Sequence, residues 1–351
     1  ASLDTQLHRC VTFALPRCHV VRQHSGSRAR RKLAIRPIAG LKLTCHASVI
    51  HHLNSLDSMN KDLFLIGIDG GGSGTRVVLG DAQGRELAQA ASGPSGLGLG
   101  VERAWQAIAA GCVEAFARAG MPLDWARCVL GCGLAGVNNR DWLAAFRAQA
   151  PALAGLAVES DVYTTLLGAH GGAQGVVVAL GTGSQAAVLD GNGECRVAGG
   201  FGYPSGDEAS GAWLGLRAIV HAQQALDGRA PNDDLAQALL AHTGAHDRDS
   251  LIVWLCEANQ TAYAKLAPLV IANASHPVAA RLLREAGVDI AKMIAALDPS
   301  AGLPVALCGG LGVPLREYVP QIYQARLREP LADSAHGGLQ LAQREAARVA
   351  G

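Results

Sequence analysis

The sequence has no G-K-[ST] tripeptide, no C-x-x-C pair, no apolar run of membrane length, and few charged residues, at 17%. Each gap excludes something. Without G-K-[ST] there is no P-loop lysine to meet nucleotide phosphates. Without paired cysteines neither a zinc ribbon nor a disulfide framework is expected, and unpaired thiols suit a reducing cytoplasm. Without about 20 consecutive apolar residues no transmembrane helix and no membrane partner are expected. His170, His221, His242, His246, His276 and His336 form no H-x-x-H pattern and are read as surface or satisfied core residues.

What is present fits an α/β protein rich in tight turns. The 351 residues are 49% hydrophobic and include 43 Gly, enough for two domains with cores of their own. The charge is uneven. Across residues 1–58 nine Lys or Arg stand against Asp4 and Asp57, in a chain whose net charge is only +1. That segment has no sustained period of 2 or 3.6 and is set outside the fold. A basic arm for nucleic acid or an organellar transit peptide would show such a bias. The reading adopted is translated sequence upstream of a true start at Met59. Residues 1–62 are therefore expected to be a disordered leader, and no nucleic-acid partner is expected.

The most informative feature is a repeat. The apolar run Leu63–Ile68 meets the turn Asp69-Gly70-Gly71-Gly72-Ser73-Gly74, a second run from Thr75, the turn Asp81-Ala82-Gln83-Gly84 and a third run from Arg85. Later Val176–Leu180 leads into Gly181-Thr182-Gly183-Ser184, a run over Gln185–Leu189, the turn Asp190–Gly193 and a run from Glu194. Both read as strand, Gly/Ser loop, strand, Asp-x-x-Gly turn, strand. Helices are expected over 101–119, 141–149, 162–170, 209–226, 233–242, 251–256, 262–274, 278–297, 314–328 and 335–349, with strands at 128–134, 156–158 and 304–308. Strands alternating with helices imply helix-flanked sheets in each half.

A Gly/Ser loop after a buried strand can turn several N–H groups toward one anion. Two such loops in matching positions favour phosphate binding over simple hairpin turns. The spacing Gly70-x-Gly72-x-Gly74 is not a dinucleotide fingerprint, because a strand-like run follows it where the pyrophosphate needs a helix. With no lysine at the phosphates, a divalent cation is the natural counter-charge, and Asp69 is the carboxylate placed to hold Mg2+.

At these residues the sequence resembles the actin-like ATPase superfamily, and within it the N-acetylglucosamine and glucosamine kinases grouped with the BadF/BadG-type ATPases. Gly67–Thr75 is similar to the family's first phosphate loop and Leu180–Ser184 to its second. Leu307–Gly312 is similar to its adenosine motif, and Gly206–Gly211 to its G-D-E-G-S stretch, with Ala209 where Gly is usual. Gly200-Phe201-Gly202 stands where the acetylglucosamine enzymes show G-W-G, and Gly211–Arg217 looks more like the glucosamine kinases.

The resemblance implies two actin-like, ribonuclease H-like α/β domains around a cleft. Residues 63–172 would carry the first phosphate loop and the catalytic Asp, and residues 173–351 the second loop, the sugar loop and the adenosine motif. It implies transfer of the ATP γ-phosphoryl, with Mg2+, to the 6-hydroxyl of an amino sugar. The roles expected are Asp161 as catalytic base; Gly71, Gly72, Ser73, Gly74, Thr75, Gly181, Thr182, Gly183 and Ser184 on the phosphates; Gly309 and Gly310 on adenosine. Thr182, Gly200, Asp207 and Glu208 would hold the sugar. Alternatives kept open are a BadF-type activator of a dehydratase, which needs cluster-ligating cysteines, and a kinase for another hexose. The preferred amino sugar and the oligomeric state, a homodimer included, stay open. Hinges are expected near residues 170–175 and at the C-terminal helix.

Overall fold

The computed structural model describes residues 63–191 and 193–350, so the expectations for residues 1–62 and the Met59 start lie outside the described residues. The repeat becomes two sheets of one design. β1 (Phe64–Gly70), β2 (Thr75–Gly80) and β3 (Glu86–Ser92) form an antiparallel meander. After α1 (Val101–Arg118) the chain adds β4 (Cys128–Leu134) parallel to β1, then α2 (Arg140–Ala148) and the parallel edge strand β5 (Gly155–Glu159). The order is β3-β2-β1-β4-β5.

Helix α3 (Asp161–His170) leads to the second meander, β6 (Gly175–Leu180), β7 (Ser184–Leu189) and β8 (Cys195–Gly199). A helical block follows: α4 (Gly211–Leu226), α5 (Asp234–Thr243), α6 (Arg248–Glu257), α7 (Gln260–Ala264), α8 (Ala267–Ala272) and α9 (Pro277–Leu297). Strand β9 (Val305–Cys308) then pairs parallel with β6, and the short β10 (Leu327–Arg328) with β9, giving β10-β9-β6-β7-β8. Both sheets thus read 3-2-1-4-5, the actin-like arrangement.

The repeat holds at the level of hydrogen bonds. Gly84 and Gly193 both take φ near +80°, at 77° and 80°, where a side chain is strained. Gly84 N donates to Asp81 O at 2.8 Å and Gly193 N to Asp190 O at 3.1 Å. Asp81 Oδ1 accepts from Arg85 N at 3.0 Å, as Asp190 Oδ1 does from Glu194 N at 3.0 Å. The Asp-x-x-Gly spacing is therefore a turn built from an Asx cap and a left-handed Gly.

Two helices lie between the sheets, each packed on the sheet of the other half. Helix α3 follows β5 but buries Val162, Leu166 and Ala169 against Val177, Ala187 and Ala306 of the second sheet. The C-terminal helix α12 (Ser334–Ala350) follows β10 but packs Ala335, Leu339 and Ala342 on Leu65, Val78 and Val129 of the first. The two helices touch through glycines. A Cβ on Gly168 would lie 2.0 Å from Asp333 O, and one on Gly337 1.8 Å from Thr164 O.

Three expected helices differ. That over 209–226 starts at Gly211, because Asp207 and Ala209 have φ of 56° and 65° and Ser210 caps the helix, accepting from Trp213 N. That over 262–274 divides into α7 and α8, with Pro268 in the first turn of α8, where its missing N–H costs nothing. The one over 314–328 is replaced by the turns α10 (Gly312–Leu315) and α11 (Gln321–Gln324) and by β10. Pro320 holds Val319 extended at ψ 131°, and Leu327 and Arg328 find hydrogen-bond partners on β9.

Candidate active site

Both phosphate-loop candidates are tight turns at strand ends. In the first, Gly71 N closes on Gly74 O at 3.1 Å, while the amides of Gly72, Ser73 and Gly74 donate to no described residue. A Cβ at Gly71 or Gly72 would meet nothing within 4 Å, so the turn faces open space. Thr75 does not share that exposure. It is 2% exposed, and its Oγ1 lies 2.6 Å from both Gly93 O and Ser95 Oγ. Its hydroxyl braces the loop from behind, together with the bonds from Ser95 N and Gly96 N to Gly71 O.

In the second loop Gly181 N bonds Gly183 O at 2.9 Å, leaving the amides of Thr182 and Gly183 without a described backbone acceptor. Helix α4 spends its first amides on this loop: Gly211 N on Gly181 O at 2.8 Å and Ala212 N on Thr182 O at 3.2 Å. Ser184, 6% exposed, donates to Glu208 O at 2.6 Å, so its hydroxyl too is structural. The adenosine-motif residues adjoin this loop. Gly309 has φ 82°, a Cβ there would fall 2.4 Å from Leu180 O, and Leu311 N donates to that same carbonyl at 3.1 Å. Only glycine lets the two turns share one strand end.

Asp161 is the first residue of α3. Ser160 is the cap, its side chain accepting from Tyr163 N, so Asp161 does not serve as the cap of its own helix. Its Oδ1 accepts from Val162 N at 2.9 Å, and no ion pair reaches it among the described residues. Burial pushes its carboxyl above the ordinary aspartate range; the Val162 amide opposes this and the Asp69 charge adds to it. The helix direction places it. His170, at the other end of α3, bonds Val176 O at 3.0 Å at the start of β6, so α3 runs against β6 and its first residue lies toward the end where β6 enters the second phosphate loop. Ligands in open α/β sheets sit at such carboxyl ends.

Asp69 is not isolated. Arg76 grips its Oδ2 through Nη2 at 2.6 Å and Nε at 3.0 Å, and reaches Asp333 Oδ2 at 3.3 Å. Asp333 in turn holds His336, whose Nε2 is 2.9 Å from Glu86 Oε2. No described residue bonds Asp69 Oδ1. An oxygen left without a protein partner fits a hydrated Mg2+, which uses one or two carboxylates and keeps its waters.

Of the residues expected to hold a sugar, Asp207 is 6% exposed and spoken for: Oδ1 accepts from Gly202 N at 3.2 Å and Oδ2 from Gln260 Nε2 at 2.7 Å. Burial raises its pKa against those bonds. Glu208 is partly exposed and Gly200, with φ 72°, is exposed next to Phe201. Thr182 lies partly exposed on the second loop. Sequence reasoning missed Arg76, Asp333 and Gln260. Arg76 stood in plain view two residues after the first loop, whereas Gln260 is 53 residues from its partner.

The model of the BadF/BadG/BcrA/BcrD ATPase family matches residues 66–312. The glucosamine kinase GspK of Vibrio cholerae is 31% identical over 282 residues, covering 80% of this chain and 95% of that protein. The N-acetyl-D-glucosamine kinase of Dictyostelium discoideum is 28% identical over 223 residues, 60% of this chain and 70% of its own length. A crystal structure of a candidate N-acetylglucosamine kinase from Chromobacterium violaceum superposes with a TM-score of 0.78 at 48% identity, covering 80% of this chain and 99% of that one.

Proposed function

The chain belongs to the BadF/BadG/BcrA/BcrD ATPase family, and we propose that it is an amino-sugar kinase moving the γ-phosphoryl of ATP to the 6-hydroxyl of glucosamine or N-acetylglucosamine. The observation that carries this reading is Asp161: a desolvated carboxyl without an ion pair among the described residues, at the end of α3 that points toward the second phosphate loop. A group so placed has little structural purpose and is suited to accepting a proton. The named kinases among the relatives support the substrate class.

In this reading the free amides of Gly72–Gly74 and of Thr182 and Gly183 hold the phosphates, and the turn at Gly309 and Gly310 takes the adenosine. Asp69 holds Mg2+, which when bound neutralises charge developing on the phosphoryl group. Asp161 accepts the proton of the attacking hydroxyl. Glu208, Thr182 and the backbone at Gly200 contact the sugar, while Asp207 shapes that side of the cleft through Gly202 and Gln260. The catalytic unit would divide at residues 172 and 173, one phosphate loop on each side. The dehydratase-activator alternative, which needs cluster-ligating cysteines, is disfavoured because the sequence has no C-x-x-C pair and Cys112, Cys128 and Cys132 are buried, leaving Cys195, Cys256 and the partly exposed Cys308 among the described residues.

A coupled ADP-release assay across glucosamine, N-acetylglucosamine, N-acetylmannosamine and glucose tests the proposal. Glucosamine or N-acetylglucosamine should head the ranking in kcat/KM; glucose above both would overturn it. A second measurement addresses Asp207. Gln260→Leu removes its Oδ2 donor inside the site, and a lost hydrogen bond to a charged group costs enough for roughly a tenfold or larger drop in kcat/KM for the sugar. The KM for ATP should move much less. Equal losses for both substrates would show that Gln260 supports the whole fold and not the sugar side.

A further inference from the structure

His221, Asp233 and His276 are three residues the sequence scatters and the fold gathers. His221 projects from α4 and is 6% exposed. Asp233 caps α5, its Oδ1 accepting from Ala236 N at 3.1 Å, and His276 caps α9, its Nδ1 accepting from Val278 N at 3.3 Å. Both imidazoles turn Nε2 onto the one carboxylate. His221 Nε2 is 2.9 Å from Asp233 Oδ1 and 3.0 Å from Oδ2; His276 Nε2 is 2.9 Å from Oδ2. The three donor atoms lie within 4.8 Å of one another, and no other His, Cys or carboxylate group of this kind occurs among the described residues.

We propose that His221, Asp233 and His276 bind a zinc-type divalent cation that clamps α4 to the starts of α5 and α9. Two imidazoles and a carboxylate are a donor set zinc accepts, with water in the fourth position. Bonds near 2.0–2.1 Å set tetrahedral donors about 3.3 Å apart, close to the nitrogen–oxygen separations already present. The competing arrangement is a hydrogen-bonded staple in which each Nε2 keeps its proton and donates to Asp233. Metal binding moves those protons to Nδ1. For His276 this gives up only the 3.3 Å bond from Val278 N, which is long for a hydrogen bond. Solvent reaches the cluster on the side of His276 and Asp233, whose side chains are 19% and 26% exposed.

The cluster lies away from the second phosphate loop. His221 is ten residues beyond Gly211, about 15 Å along the helix whose first amides hold the second phosphate loop. A cation there would stiffen the support of that loop without touching the reacting groups.

The test uses the full chain, stripped with chelator and without nucleotide. The wild type should bind one more Zn2+ ion per chain than the His276→Asn variant, and Zn2+ at a hundredfold excess over its Kd should raise the Tm by about 5 °C. Co2+ should give the intense visible absorption of a four- or five-coordinate imidazole site. His276→Asn and Asp233→Asn each remove a ligand but keep a side chain favoured at a helix cap, so they should fold while losing at least tenfold in Zn2+ affinity and the Tm response. Unchanged Zn2+ affinity in both variants, or a Co2+ spectrum of the wild type showing only six-coordinate aqua-like absorption, would overturn the proposal and leave the staple. A wild-type Co2+ spectrum with only six-coordinate absorption decides against the site even if a variant fails to fold.

Discussion

Asp161→Asn is expected to lower kcat by about 100- to 10,000-fold, the range for loss of a general base, while ATP affinity stays nearly the same. The amide keeps the shape of the side chain and, through its oxygen, the bond from Val162 N, so the start of α3 is preserved. What it loses is the ability to take a proton. The pH dependence gives a second readout. Burial and the Asp69 charge raise the folded-state pKa of Asp161 above its unfolded value. As base it must be ionised, so wild-type kcat should fall as the pH drops through that raised value, and the variant should lack this limb. Stability runs the other way. A raised carboxyl pKa contributes stability below the unfolded pKa and loses it as pH rises through the folded pKa, so at neutral pH the wild type bears the cost of a desolvated charge. Asp161→Asn should therefore melt at the same temperature as the wild type or higher at pH 7. Near-normal turnover would remove Asp161 from the chemistry, and a lower Tm with lost activity would make it structural.

Features written in local chemistry were legible in the sequence, and features made by long-range pairing were not. The doubled strand–loop–strand unit could be read because Gly and Asp at fixed spacing dictate the turns at Asp81–Gly84 and Asp190–Gly193. Their hydrogen bonds turn out to match nearly one for one. The tight turns at Gly71–Gly74, Gly181–Gly183 and Gly309 could be read for the same reason. The loop hydroxyls could not. Thr75 and Ser184 look like ligands in a Gly/Ser loop, yet burial behind the turn commits them to Gly93, Ser95 and Glu208, and no local pattern shows which way a hydroxyl faces. The grip of Arg76 on Asp333 spans 257 residues, and His221 meets His276 only because α4 and α9 pack together. Residues 314–328 carry a helical apolar pattern, but Pro320 and a free edge on β9 override it. Residues 170–175 contain Gly171 and Gly172 at φ 60° and 79°, backbone that favours glycine. That the helices on either side trade sheets could not be seen in one dimension.

That exchange makes Gly337→Ala a strongly damaging substitution. In an ordinary helix the change stabilises, since alanine is about 1 kcal/mol the better helix former. Here the sign reverses. The added Cβ would stand 1.8 Å from Thr164 O and 2.7 Å from Gly168 N, both backbone atoms of α3 that no rotamer change can clear. The helices must part, and each is already fixed elsewhere: α3 on Val177, Ala187 and Ala306, α12 on Leu65, Val78 and Val129. Overpacking of this kind costs about 1–3 kcal/mol or more, which for a chain of this size means a Tm lower by roughly 3–6 °C or more. The damage should reach catalysis as well. Asp161 begins α3, and its carbonyl is held by Thr165 Oγ1 at 2.8 Å, while Thr164 Oγ1 lies 2.9 Å from Ser334 Oγ at the start of α12. Moving α12 by a methyl group therefore shifts the carboxyl that takes the proton, and a displacement near 1 Å can cost about 100-fold. The measurement is kcat well below the melting transition, beside the Tm. A variant with unchanged or raised Tm would show that α3 and α12 are not in backbone contact at Gly337. A lowered Tm with full activity would show that the contact stabilises the fold without positioning Asp161.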